Sequence, residues 1–324
     1  MQSGEYELKE ITVNKNDASQ RIDKFISKTF KTMPQSLVYK FLRTKRIKVN
    51  GKKAKENQIL NENDVITLYI PEEFFGEKRA PSLEHIKSDI KVCFEDENVM
   101  IVHKPKGVLC HSEDAGDTDT MIDRVKAYLY SKGEYSPENE NSFAPSLCNR
   151  IDRNTEGLVI AAKNAESLRI MNEIIRDRDV EKTYLAAVHG LFDKKAGVYK
   201  SFLEKNAAEN KVYTRSHATE NTVTAILSYK VVAENRQKSL SLLEIELETG
   251  RTHQIRVQMA ENGHPLLGDG KYAVNKEDRK SGFSSQALCS YSVKFKFTKD
   301  RGILNYLNGV TAKTAKPDFV KLFY

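Results

Sequence analysis

Residues 149–162, NRIDRNTEGLVIAA, join a polar loop to an apolar run. The loop holds Asp152 between two arginines, and Gly157 leads into an apolar run, Leu158-Val159-Ile160-Ala161, that is typical of a buried strand. A helix is predicted after Asn164, where apolar residues recur on one face. Strands with scattered helices predict an α+β fold around a large sheet. The other strand-like runs are 99–102, 184–188 and 240–247.

Positive charge is concentrated near the N-terminus. Between Ser19 and Lys55 there are twelve Lys and Arg residues and one acid, Asp23. This segment therefore carries a formal charge of +11 in a chain of net charge +7, which leaves −4 for the remainder. A run of lysines is usually only a solvated surface, but confinement to one compact unit favours a phosphate-binding surface.

The basic segment also predicts a small α/β module over residues 1–71. Ser19 is expected to cap a first helix with one apolar face, and a second helix is expected at about Ser36–Thr44. Asn50-Gly51 between two short strands is a strong signal for a tight hairpin, and residues 64–70 are expected to form a closing strand. The apolar faces of the two helices comprise Ile22, Phe25, Ile26 and Phe30, and Leu37, Val38, Phe41 and Leu42.

Residues 71–91 predict a linker, because they contain two prolines and mixed charge without a clear period. A second domain is expected to start near Ile90. No apolar run reaches the roughly 20 residues that span a bilayer, and the first ten residues are too polar for a signal peptide. Four cysteines without Cys-x-x-Cys spacing favour a cytoplasmic protein with free thiols and no zinc. The absence of GxGxxG and P-loop motifs gives no support for a nucleotide cofactor.

Two further segments carry polar residues in unusual density. In residues 250–269, Thr252 is expected to cap a helix that buries Ile255 and Met259 and ends at Gly263. Arg251, His253 and Arg256 then fall at the helix start, where backbone N–H groups favour anions, although a lone histidine is more often structural. In Lys182-Thr183-Tyr184 an aromatic residue is expected at the start of a strand. The plain alternatives are a core tyrosine and, for Asp152, a loop acid held by ion pairs.

These segments together resemble the RluA-type pseudouridine synthase family. Its motif His-Arg-Leu-Asp-x-x-Thr-Ser-Gly-Leu matches residues 149–158, except that Asn149 replaces His, Ile151 replaces Leu and Glu156 replaces Ser. Residues 20–70 similarly resemble the small RNA-binding domain named for ribosomal protein S-four, with Lys45 where that domain commonly has glycine. The other matching segments are Lys104-Pro105-x-Gly107 with His111, Lys182-x-Tyr184, Arg251-Thr-His-Gln-Ile-Arg256 and Gly263-His-Pro-Leu-Leu-Gly-Asp269.

The resemblance implies an enzyme that isomerises uridine to pseudouridine in structured RNA, without cofactor or metal. It implies an α+β catalytic domain at 90–324 with a large mixed, mostly antiparallel sheet, a linker at 72–89 and an RNA-binding domain at 1–71. Large-subunit ribosomal RNA is the expected substrate and transfer RNA the second choice; a non-catalytic ribosome-assembly factor is the alternative of another class. A cytoplasmic monomer is expected, with no membrane and no protein partner.

By the same resemblance, Asp152 is the nucleophile that attacks the anomeric carbon or assists elimination to a glycal. Arg256 would pair with Asp152, and Tyr184 would stack on the uracil and act in proton transfer. Arg150 would fill the gap left by the flipped base. The expected substrate-binding residues are Arg150, Thr155, Lys104, Arg251 and His253 in the second domain, and Arg21, Lys40, Arg43, Arg46 and Lys52 in the first.

Overall fold

A computed structural model describes residues 6–75, 83–114, 116–117 and 119–324. The middle of the predicted linker, residues 76–82, lies outside the described residues. Short 3-10 helices flank it at Glu72–Phe75 and Leu83–His85. Within the described ranges no helix has the length and apolar character that crossing a membrane requires.

The N-terminal part of the chain folds around a small antiparallel sheet. Its elements, in chain order, are β1 (Tyr6–Thr12), α1 (Ile22–Thr29), α2 (Gln35–Arg43), β2 (Ile47–Val49), β3 (Lys52–Lys53) and β4 (Val65–Pro71). The strand order is β1-β4-β2-β3, so β1, which the sequence did not predict, pairs with the predicted closing strand. The predicted apolar faces of α1 and α2 are confirmed, since both pack in one core with the sheet.

The predicted hairpin is also confirmed. Asn50 and Gly51 have φ angles of 50° and 74°, and two successive positive φ angles are what the type I′ hairpin turn requires. The predicted cap at Ser19 is wrong. Ser19 has a φ of 62° and its N–H donates to the carbonyl of Leu60 (2.8 Å), so it lies in a turn before the helix. The N-cap of α1 is Arg21, which makes no side-chain capping bond.

The rest of the described chain forms a sheet of eleven strands with helices packed on it. Its elements, in chain order, are β5 (Lys91–Glu95), β6 (Val99–Lys104), α3 (Met121–Ser131), β7 (Ser146–Leu147), β8 (Glu156–Ala162), α4 (Ala165–Arg176), β9 (Val180–His189), β10 (Ala196–Asn206), β11 (Lys211–Arg215), β12 (Val223–Asn235), β13 (Leu240–Leu247), α5 (Gln254–Glu261), α6 (Lys276–Lys280), β14 (Leu288–Phe295) and β15 (Thr311–Lys313).

The strand order is β11-β10-β12-β13-β9-β14-β8-β6-β5, with β15 beside β14 and β7 beside β8. Among the strands described, only β8 and β14 pair in parallel, so the predicted mixed and mostly antiparallel sheet is confirmed. The helix predicted after Asn164 is α4, and the Asn164 side chain caps it by accepting a hydrogen bond from the Ser167 N–H (2.8 Å).

Gly157 is required where the loop of residues 149–156 enters the sheet. Its φ is 117°, and a Cβ at this position would lie 2.3 Å from the carbonyl oxygen of Ser290 on β14. Because backbone atoms cannot give way at that distance, any side chain would push β8 and β14 apart. The parallel pair thus holds the end of the Asp152 loop close to the centre of the sheet.

The small domain contacts the second domain through polar groups. Asp17 is fully buried and accepts hydrogen bonds from the Ser142 hydroxyl (2.6 Å) and the Asn141 amide (2.7 Å). The Asn16 side chain accepts from the N–H of Ala165 at the start of α4 (3.1 Å). The apolar cores stay separate, because the cluster around α1 and α2 contains no buried residue beyond Ile70. The two domains therefore meet at a hydrogen-bonded interface and each keeps its own core.

Candidate active site

The loop that carries Asp152 is held by its own polar residues. The Asn149 side-chain oxygen accepts a hydrogen bond from the N–H of Ile160 on β8 (2.8 Å). The N–H of Thr155 donates to the carbonyl of Asp152 (3.0 Å), and the buried Thr155 hydroxyl accepts from the amide of Gln286 (3.2 Å). Asn149 therefore serves as a backbone clamp, and the Thr155 hydroxyl is engaged beneath the loop.

Lys104 has a different place from the one expected. Its side chain is fully buried, and its ammonium group donates to the carbonyl oxygens of Pro105 (3.0 Å), Val108 (2.7 Å) and Arg153 (2.9 Å). Three acceptors engage all three of its protons, so Lys104 ties two loops together, and its expected contact with substrate stays a prediction. Burial lowers the pKa of Lys104 to about 8. Gly107 strengthens the tie, since its N–H donates to the Arg153 carbonyl (3.0 Å).

Helix α5 presents the second set of polar residues, but it does not begin as predicted. Its N-cap is His253, in the left-handed region with φ 53°, and Thr252 does not cap it. The Gln254 side-chain oxygen instead accepts from the N–H of Arg251 (3.0 Å) and the hydroxyl of Thr249 (2.8 Å). Gly263, with φ 81°, follows the helix end as predicted. The predicted burial of Ile255 and Met259 is confirmed.

Arg256 on α5 joins two carboxylates. Its Nη1 donates to Oδ2 of Asp152 (2.9 Å), while Nε and Nη2 donate to the two oxygens of Asp269 (2.7 and 2.9 Å). Asp269 is 1% exposed and also accepts from the N–H of Lys271 (2.9 Å). A bidentate pair fixes the plane of the guanidinium, so Asp269 decides where Arg256 meets Asp152. Asp269 was not predicted as a site residue; its place six residues after Gly263 in the matched motif was the only signal.

The charges in this triad stabilise one another. Burial alone would lower the pKa of Arg256, but the hydrogen bonds and negative charges of Asp269 and Asp152 outweigh it and raise that pKa. Burial would likewise raise the pKa of Asp269, yet Arg256 and two backbone N–H groups lower it. The Asp152 side chain is 24% exposed, and of its two oxygens only Oδ2 accepts a hydrogen bond from a described residue. Oδ1 is thus available to a ligand.

Tyr184 and His253 lie beside this triad. Tyr184 is 6% exposed in the interior of β9, four residues after the strand begins and not at its start as predicted. Burial raises the pKa of Tyr184 to about 12, with a contribution from the charge of Asp152. Burial lowers the pKa of His253 to about 4, despite the nearby Asp152. Near neutral pH both rings are therefore uncharged, and His253 Nδ1 is hydrogen-bonded to the Tyr272 hydroxyl (2.8 Å).

These groups line two cavities that meet at Asp152. One, of about 780 Å³, extends past Tyr184 towards Arg178 and Lys182. The other, of about 1120 Å³, extends towards α6 and is lined by cations that the sequence analysis did not single out. Together they form a cleft, and the cations missed in the second cavity are Arg153, Lys205, Lys271 and Arg279. The predicted residues that line both cavities are Arg150, Asp152, Arg251, His253 and Arg256.

The predicted cations of the small domain lie outside this cleft. Lys40, Arg43 and Lys52 are exposed, with no hydrogen-bond or ion-pair partner among the described residues. Arg21 instead pairs with the buried Asp23 (2.8 Å), and the guanidinium of Arg46 lies 5.7 Å from the centre of the Phe41 ring. The three exposed cations, Lys40, Arg43 and Lys52, are therefore free to bind phosphates. Arg21 and Arg46 also contribute to the packing of the small domain.

Comparison with protein families gives two matches. Residues 98–261 match the family described as RNA pseudouridylate synthase, and residues 20–66 match the S4 domain. A protein of Mycoplasma capricolum named "Uncharacterized RNA pseudouridine synthase" is 34% identical over 91% of this chain and 94% of its own length.

A second relative carries a more specific name. The "Ribosomal large subunit pseudouridine synthase C" of Pasteurella multocida is 28% identical over 90% of this chain and 87% of its own length. Among solved structures, "Human RNA Pseudouridylate Synthase Domain Containing 1" superposes with a TM-score of 0.56 at 19% identity, covering 72% of this chain and 86% of the human chain. The α+β fold is thus shared with that protein.

Proposed function

Because this chain belongs to the RNA pseudouridylate synthase family, we propose that it isomerises uridines of large-subunit ribosomal RNA, with Asp152 as the nucleophile. The chain is an RNA pseudouridine synthase with an S4 RNA-binding domain. Support for the ribosomal target is the name of the Pasteurella relative, which aligns along nearly the whole chain, small domain included. With ribosomal RNA as substrate, the cytoplasm is its proposed place of action.

The reaction itself makes modest chemical demands. The bond between the ribose carbon C1′ and uracil N1 breaks, the uracil turns over, and C5 bonds to C1′. C5 then loses its proton and N1 gains one, so there is no net oxidation or reduction. A carboxylate that attacks C1′, or that assists elimination to a glycal, is sufficient as the principal group. Asp152 is the proposed carboxylate by either route.

The observation that carries this assignment is the Asp269–Arg256–Asp152 chain of hydrogen bonds (2.7 to 2.9 Å). Arg256 engages Oδ2 of Asp152, a residue that lines the cleft, and makes no hydrogen bond to Oδ1. The buried Arg256, anchored by two bonds to Asp269, holds the carboxylate of Asp152 in position. A nucleophile needs a fixed position of this kind.

Tyr184 and Arg150 are proposed to handle the base. Tyr184 retains its phenolic proton near neutral pH, because its pKa is about 12, so it can pack against uracil and donate a hydrogen bond. The exposed Arg150 would stack in the gap that the flipped nucleotide leaves. Flipping costs on the order of a few kcal/mol, which such stacking can partly offset. All of these groups come from one chain, so a monomer is the proposed active form.

The test is to map pseudouridines in ribosomal and transfer RNA from cells with and without the gene. Loss of specific pseudouridines from large-subunit ribosomal RNA, restored by the wild-type gene but not by Asp152→Asn, is the expected result. Loss confined to transfer RNA would overturn the proposed target and keep the activity. Restoration by Asp152→Asn would overturn the nucleophile. Sedimentation of the purified enzyme checks the monomer.

A further inference from the structure

Lys182 is a partly buried cation of the cleft to which the mechanism above gives no task. It lies on β9 two residues before Tyr184, and alternation along a strand places both side chains on the same face of the sheet. Both line the 780 Å³ cavity. The neighbouring same-face residues, Val180 and Tyr184, belong to two apolar clusters. The stem of Lys182 thus lies between apolar groups.

The ammonium group of Lys182 has no partner in the described part of the chain: no hydrogen bond and no ion pair. It lies next to the backbone of Gly250, where an added Cβ would be 3.8 Å from Nζ. Burial lowers the pKa of Lys182. Lys104, which is fully buried, has three acceptors. A partly buried ammonium group without a partner is stabilised by a ligand that supplies the counter-charge.

The other cations in this arm of the cavity are already engaged. Arg178 pairs with Glu248 (2.7 Å), and Arg176 lies 3.8 Å from Asp177. Glu181, adjacent in sequence to Lys182, also lines this cavity, but it pairs with Lys296 (3.1 Å). Among the described cations in this arm of the cavity, Lys182 therefore remains available to an incoming anion.

We infer that Lys182 binds a phosphate of the RNA strand next to the target uridine. An ammonium group offers three donors and no acceptor, so it suits an anionic oxygen better than the mixed edge of uracil. The two-residue spacing from Tyr184 is about 6.6 Å along the strand, within the reach of a single nucleotide. The inference deepens the proposed function and rests on it, because it takes the base in front of Tyr184 to be the substrate.

The experiment compares Lys182→Met and Lys182→Arg with the matched control Lys238→Met. Lys238 is an exposed lysine between β12 and β13 that lines neither cavity. Equilibrium binding is measured against salt for two probes: a ribosomal RNA fragment that the wild-type enzyme modifies, and an oligouridylate. Fragments with one uncharged methylphosphonate, placed on either side of the modified uridine, locate the contact. Thermal melting of each variant checks the fold.

Lys182→Met is expected to bind about tenfold more weakly, the loss of roughly one charge-assisted hydrogen bond, and to lower the salt slope by about 0.7. Lys182→Arg should keep most of the affinity. The wild-type enzyme should bind one of the two methylphosphonate fragments about tenfold more weakly than the unmodified fragment. Lys182→Met should bind that fragment and the unmodified one equally. Unchanged binding in Lys182→Met, or no loss in the wild-type enzyme at either flanking methylphosphonate, would overturn the inference.

The other outcomes separate the alternatives. A shifted pH profile of kcat with unchanged affinity would replace phosphate binding by proton transfer. A lowered melting temperature with unchanged salt slope would assign Lys182 to the fold alone. If the wild-type enzyme modifies no ribosomal fragment, the proposed target fails; the salt slope with oligouridylate still tests Lys182.

Discussion

Lysines and arginines have different surroundings in the two domains. In the small domain Lys40, Arg43 and Lys52 are exposed and have no partner among the described residues. In the second domain Lys104 and Arg256 are buried, with their donors engaged by carbonyls or carboxylates. Exposed cations act one at a time on phosphates, whereas buried cations are coupled to the groups that they neutralise. Net charge therefore predicts RNA affinity in the first domain and reveals little about the second.

The strongest test of this contrast is the substitution Asp152→Asn, which replaces one carboxylate oxygen by an NH2 group within the hydrogen-bonded set of Asp269, Arg256 and Asp152. Asp152→Asn should lower the single-turnover rate by at least about a thousandfold, because an amide cannot serve as the nucleophile. RNA affinity should stay within a few-fold, since the cations that meet phosphate are untouched. Tritium release from labelled uridine measures the rate. The control is Asp193→Asn, an exposed residue that lines neither cavity. A substantial remaining rate would remove Asp152 from the chemistry.

Asp269 tests whether positioning through Arg256 matters. Asp269→Asn should lower kcat by about a hundredfold, since a displacement of about 1 Å in a catalytic group has effects of that size. KM for RNA should change little, because Asp269 is buried and does not contact the RNA directly. An unchanged kcat would mean that Asp152 alone positions Arg256.

The same variant has a pH signature in stability. The folded-state pKa of Asp269 is lowered, so its contribution to stability is complete above the ordinary carboxyl pKa of about 4. That contribution is lost as pH falls through the lowered folded-state value. Urea unfolding should therefore show wild type more stable than Asp269→Asn at pH 7, with the gap closing in acid. A gap that widens in acid would contradict the charge assignment.

Removing the small domain tests its separate role. A protein that starts at Leu83 keeps the buried contact of Leu83 beside α3 and should stay folded, because the catalytic cores contain no residue from the first domain. It should retain the maximal single-turnover rate. Its affinity should fall by about tenfold or more and its salt slope should flatten by about 0.7 to 0.9 for each lost phosphate contact.

A full-length triple variant, Lys40→Gln, Arg43→Gln and Lys52→Gln, separates the effect of the charge from the effect of the contact between the two domains. It retains the Asp17 contacts with Asn141 and Ser142. If the truncated protein is folded but has lost its maximal rate, while the triple variant keeps it, the docked domain helps to build the active complex. Equal affinity and slope in all three proteins would make the basic cluster only a solvated surface.

The smallest expected effect belongs to one exposed lysine. Lys52→Gln should weaken RNA binding a few-fold and lower the salt slope by about 0.7 to 0.9, with turnover at saturating RNA unchanged. Lys238→Gln, outside both the basic cluster and the cleft, is the matched control. A loss of maximal rate in Lys52→Gln would contradict the assignment of RNA affinity to the small domain and of catalysis to the second domain.

Local patterns predicted the elements well where local forces decide them. The apolar periodicity of α1, α2 and α4 and the Asn50-Gly51 turn required only neighbouring residues, and all are present. The capping predictions at Ser19 and Thr252 failed because Arg21 and His253 occupy the N-cap positions, and neither makes a side-chain capping bond. The strand β1 was missed because it is defined by pairing with β4, whose paired residues lie 53 to 65 positions further along the chain.

The sequence by itself determined the domain order, the helical and strand periods, the location of the positive charge and the motif around Asp152. Only the tertiary structure decided which charges neutralise one another. Arg256 meets Asp152 across 104 residues of chain, Lys104 turns inward to three carbonyls, and Lys182 has no ion-pair partner in the described part of the chain. The physical reason is that burial and pairing depend on the register of distant strands, and a lysine or arginine has the same sequence signature in water and in the core.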